Sequence, residues 1–82
     1  MNLLIYCYNA KDLPKVTEFF NRINAFWASG AAFTNTYNNW DAYNSHTVYR
    51  LDFKTITVLP DDHVKNCSDL YIHHKKINAS DL

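Results

Sequence analysis

The sequence predicts a small α+β domain, one main helix packed on a mostly antiparallel sheet of four to five strands, in the order strand, helix, strand, hairpin, strand. Three observations carry this expectation. Residues 2–8 are apolar on both alternating faces, residues 12–26 carry an apolar stripe at helical spacing, and residues 47–53 and 55–59 alternate with period two, close enough for a tight hairpin.

In the first run, Leu3, Ile5 and Cys7 share one face and Leu4, Tyr6 and Tyr8 the other. A strand apolar on both sides belongs inside a sheet, so it is placed centrally. Asp12 is the expected N-cap of the helix, with Pro14 in its first turn, where a missing N–H costs nothing. Leu13, Val16, Phe20, Ile23 and Trp27 step by three and four, Phe19 and Phe26 widen the stripe, and Glu18 and Arg22 stand four apart in the favourable order. Trp27 is assigned to the core. Gly30, the only glycine, follows this aromatic end and is the natural reversal point, since it takes positive φ at little steric cost.

Residues 31–34 are apolar enough to begin a second strand. Residues 35–46 are rich in Asn and aromatics, and Asn and Asp side chains favour local backbone bonds, so a loop is expected there. In the hairpin, Tyr49, Leu51 and Phe53 share one face and Val48, Arg50 and Asp52 the other, with the turn near residues 52–54. Its polar outer face suggests a sheet covered on one side only. Residues 61–68 are polar with room for a helical turn. Residues 70–77 read as a last strand, basic on its outer side, as suits an edge guarded by charge.

At 82 residues this is one domain, 1–82, with disorder expected only in the last few positions. Apolar residues make up 48% of the chain, enough for a dense core. Eight basic residues balance eight acidic ones, which argues against steering to a polyanion and makes homodimer formation plausible. The apolar start is too short to span a bilayer and lacks the basic start of a signal peptide, so the expected location is cytoplasmic with no membrane partner. In that compartment Cys7 and Cys67 are expected to stay reduced.

Chemistry-bearing motifs are sparse. His63, Cys67, His73 and His74 are zinc-ligand types, but adjacent His73 and His74 on a strand point to opposite faces, so surface histidines are the reading and neither metal nor cofactor is expected. One glycine cannot build a nucleophile elbow or a phosphate-cradling loop, and the Asp61-Asp62 pair reads as solvated surface. No catalytic function is expected.

The loop is where function competes with packing. Tyr37, Trp40 and Tyr43, with Asn38 and Asn39, suit stacking on bases, or the centre of a protein contact, or a second small core folded over the sheet. Neutral charge disfavours phosphate binding, so the protein contact leads, with Arg50 and Lys54 nearby.

Val16, Phe19-Phe20, the Trp27-Ala28-Ser29-Gly30 corner, Ile56-Thr57-Val58 and the tail from Tyr71 to Leu82 together resemble a group of small proteins encoded by bacteriophages and prophages. The chain departs from that pattern at Asn24-Ala25, where the group tends to place a glycine. The resemblance implies a phage accessory protein that blocks a host protein by stoichiometric occlusion: a defence system such as a CRISPR effector or restriction enzyme, or the transcription machinery. The alternatives are a nucleotide or single-stranded nucleic-acid binder acting as a sponge, and a structural subunit of a phage particle.

Overall fold

A computed structural model describes residues 1–82. Its strands are β1 (Asn2–Cys7), β2 (Phe26–Trp27), β3 (Thr47–Asp52), β4 (Thr55–Pro60) and β5 (Lys75–Asn78), and its helices α1 (Leu13–Arg22) and α2 (Asp61–Asn66). All five strands form one sheet in the order β2-β4-β3-β1-β5. The central pairs β1–β3 and β3–β4 are antiparallel, and the two outer strands, β5 on β1 and β2 on β4, are parallel. The α+β class and the interior place of β1 are therefore as expected, with parallel edges added. No helix is long and apolar enough to cross a membrane.

Helix α1 ends at Arg22, four residues short of expectation. Asn24 takes φ 58°, and its N–H reaches the Asn21 carbonyl at 3.3 Å while the Ala25 N–H reaches that of Phe20 at 2.9 Å. These two bonds form a Schellman stop with Asn in the left-handed position, and Ala25 and Phe20 join the same core beneath it. Freed from the helix, Phe26 and Trp27 become β2. Trp27 is buried as assigned, but Phe26 is 44% exposed instead of widening the stripe.

Gly30, at φ 90°, reverses the chain, and the Trp27 N–H meets the Ala31 carbonyl at 2.9 Å. Residues 31–34 consequently form no strand of their own; a single bridge joins Ala32 to Phe26. At the front of α1, Asp12 does not cap. A 3₁₀ turn precedes the helix and holds Asp12 in helical geometry, and Asn9 caps that turn instead, its side chain accepting from the Lys11 N–H. The Glu18–Arg22 pair forms at 2.9 Å.

One face of the sheet, with Leu3, Ile5, Cys7, Tyr49, Leu51, Ile56 and Trp27, packs against Val16 and Phe20 of α1 and against Phe33. The other face is not bare, contrary to expectation: Leu4 and Val48 meet Val64 of α2 and Tyr71 in a second cluster. The alternating strands predict where side chains point but not what later chain returns to cover them. The final strand is also shorter, because residues 68–71 form a 3₁₀ turn that buries Tyr71 and leaves Leu70 and Ile72 outside. Residues 79–81 form a last 3₁₀ turn with Ala79 in the core.

Candidate functional site

The loop 35–46 is organised from within. The Thr34 hydroxyl oxygen accepts from the Tyr37 N–H at 2.8 Å, and the Asn38 amide donates to the carbonyls of Thr34 and Asn35, both at 3.1 Å. Asn38 Oδ1 accepts from the Trp40 N–H at 3.0 Å, and the Asn38 carbonyl accepts from the buried Tyr49 hydroxyl at 2.9 Å. The Trp40 indole N–H donates to the carbonyl of Cys7 at 3.1 Å, tying the loop to the end of β1. Asn38, only 9% exposed, and Trp40, packed on the main core, thus serve as fold-back elements.

Beneath them lies an aromatic cluster that sequence reasoning missed. Phe33 stacks on Trp27 with ring centres 5.7 Å apart and meets Phe20 and Tyr49 edge-on, each at 5.0 Å. Its signal was an apolar residue following the glycine corner. Of the remaining loop residues, Tyr37 is half exposed and meets Trp27 edge-on with ring centres 6.2 Å apart, Asn39 is exposed at φ 58°, and Tyr43 is half-buried.

Arg50 and Lys54 do not join this loop. Arg50 lies on the opposite face, its Nε 2.8 Å from Asp52 Oδ2 and its guanidinium over the Tyr71 ring at 5.9 Å. The Nε contact is an ion pair without the alignment of a hydrogen bond. On the same carboxylate, Oδ1 lies 2.7 Å from His74 Nε2, so Asp52 pins the chain entering β5 to the end of β3. Lys54 sits in the hairpin turn at the far end of β3 from the loop, roughly 17–20 Å away at strand rise.

That far end has its own character. The turn consists of Phe53 and Lys54, since Asp52 pairs with Thr55. Only Phe53 takes positive φ, 56°, the pattern of a type II′ turn, in which glycine is preferred at that place. Phe53 was expected to line the core with Tyr49 and Leu51. It is instead 77% exposed, because the strand ends one residue before it. Beside it stands Met1, 62% exposed. Backbone bonds from Phe53 N–H to the Met1 carbonyl (2.9 Å) and from Phe26 N–H to the Lys54 carbonyl (2.8 Å) hold these segments together. Met1, Ile23, Phe53, Lys54 and Thr55 line a shallow, mostly apolar cleft of about 460 Å³ between them.

The titratable groups add little chemistry. Burial pushes the Cys7 thiol up to about 11 and holds the Tyr49 phenol well above its ordinary range. Tyr6 and Tyr8 are raised by burial first, with the Asp61 carboxylate adding to it. Cys67 Sγ is 3.9 Å from His63 Nδ1, and no three His, Cys, Asp or Glu side chains converge to hold a metal ion. No family model matches the chain, and neither a curated protein nor a solved structure matches it.

Proposed function

We propose that the protein binds a host protein and inhibits it by stoichiometric occlusion, and that its contact surface is the hairpin end of the sheet. The observation that carries this reading is Phe53. A bulky residue at positive φ costs on the order of 1–3 kcal/mol, and here the side chain, 77% exposed, recovers little of that by burial within its own fold. Such a residue is explained when its ring is buried by something else. Met1 and the apolar cleft extend the surface around it, and Lys54 supplies a rim charge.

The loop 35–46 is a weaker contact surface than its composition suggests, because Asn38 and Trp40 are committed to the fold. The same commitment removes the central ring from the nucleotide-stacking alternative. The sequence resemblance to phage-encoded accessory proteins supports a bacterial host protein as the target.

The test is a photo-crosslinking phenylalanine analogue placed at position 53, and separately at position 37, irradiated in host lysate. One saturable protein adduct from position 53 is the expected result. Adducts formed from position 37 alone, or none that saturate, would overturn the assignment of this surface.

A further inference from the structure

Strand β5 closes one side of the sheet and pairs only with β1. The Asn78 carbonyl opens the closing 3₁₀ turn; otherwise no turn or loop backbone bond, and no side chain, reaches the backbone of residues 75–78, so the outer N–H groups and the remaining outer C=O groups of this strand are free. The other unpaired stretch, Thr57–Pro60 of β4 beyond the short β2, is half-buried and ends in a proline with no N–H. In β5, by contrast, Lys75, Lys76 and Asn78 are exposed, and the preceding His73 is exposed as well. Neither Lys75 nor Lys76 has a carboxylate partner within salt-bridge distance.

We infer that β5 accepts an extended acidic segment of a partner protein as a sixth strand. A free ladder supplies main-chain bonds irrespective of sequence, and adjacent recesses select alternate side chains. Lys75 and Lys76 project to opposite faces of the sheet, so both faces of an added strand would meet an ammonium group. On the face of Lys76, a cleft of about 490 Å³ lined by Tyr6, Tyr8, Lys76, Ile77, Asn78 and Asp81 lies alongside the edge, able to receive one side chain of the incoming strand. Asp81, beyond the end of β5, is the acidic residue of this cleft, while Asp61 and Asp62 stand farther from the edge, in the adjoining recess that Tyr6, Tyr8 and Lys76 also border. The lysines also choose the occupant. Pairing β5 with β5 of a second copy would bring four ammonium groups together, whereas a carboxylate-bearing strand neutralises them. This surface is separate from the hairpin end and stands or falls independently of it.

The probe is an end-blocked peptide of alternating Glu and Val, compared with its Lys/Val counterpart and with a copy N-methylated on alternate backbone nitrogens. Binding is followed by NMR shift changes and amide hydrogen exchange on the full chain. The acidic peptide should bind at least about ten-fold tighter than the basic one, weaken as salt is raised, and slow exchange at the β5 amides that face away from β1. A Lys75→Glu, Lys76→Glu variant should reverse the charge preference, and a Lys75→Gln, Lys76→Gln variant should abolish it, both folding as wild type. Absence of binding, equal binding of the N-methylated copy, or protection elsewhere in the chain would overturn the inference. So would self-pairing of the protein through β5.

Discussion

The Tyr49 hydroxyl, inside the main core, donates to the backbone carbonyl of Asn38 at 2.9 Å. This bond links the centre of the sheet to a loop that looks like surface by composition, and it makes the loop part of the stability of the domain. Tyr49→Phe should therefore destabilise by about 1–3 kcal/mol, because it leaves the carbonyl of the nine-tenths-buried Asn38 without its donor. Urea unfolding would show this as a lower midpoint with an unchanged slope.

Trp40→Ala is expected to act the same way. It removes the indole bond to Cys7 and the packing against the core, costing about 2–3 kcal/mol, less than the roughly 3–5 of Trp27→Ala because Trp40 is only half-buried. Trp40→Phe should recover part of the packing and none of the hydrogen bond. If Trp40→Ala melted as wild type, the fold-back account of the loop would be wrong.

Alkali should weaken the protein earlier than its surface chemistry would suggest. Cys7 is neutral in the fold with its pKa raised from 9.0 to about 11, and Tyr49 is raised above its ordinary 10.0. Each ionises more readily unfolded, so the native state holds more protons, and stability falls as pH rises. The contribution from Cys7 is complete below about pH 9 and is lost between about 9 and 11, with Tyr49 adding to the fall from about pH 10 upward. Unfolding midpoints measured from pH 7 upward check this, and Cys7→Ala should flatten the first part of the decline.

The same burial separates the two thiols. An aromatic disulfide reagent at neutral pH should modify the half-exposed Cys67 first and reach Cys7 only on unfolding. Two equally fast reactions would contradict the placement of Cys7 in the core.

Much of this fold was legible because its signals are local. The double-faced run of β1, the stripe through Val16 and Phe20, the Glu18–Arg22 spacing and the alternation of β3 and β4 each depend on periods of two or 3.6. What failed depended on single residues or on distant chain. Asn24 in the left-handed region stops α1 and turns Phe26 and Trp27 into a strand, and an asparagine inside an otherwise helical pattern gives only a faint stop signal. The covering of the second sheet face by Val64 and Tyr71 is a tertiary event that no period encodes.

For the candidate site, residue type was a poor guide to direction. Asn38 and Trp40 have the composition of a binding loop and the bonding of a core, whereas Phe53 was placed in the core by alternation and stands outside it. Alternation assigns a face only while the strand continues, and β3 ends at Asp52, so the rule expired one residue before it was applied.

Phe53→Gly gives the most direct test of the hairpin end as the partner-binding surface, with melting temperature and partner capture measured on the same preparation. Glycine suits positive φ, so the fold should be stabilised by on the order of 1 kcal/mol, while capture of the host protein is lost. A variant at least as stable as wild type that still captures its partner with undiminished affinity would contradict the account.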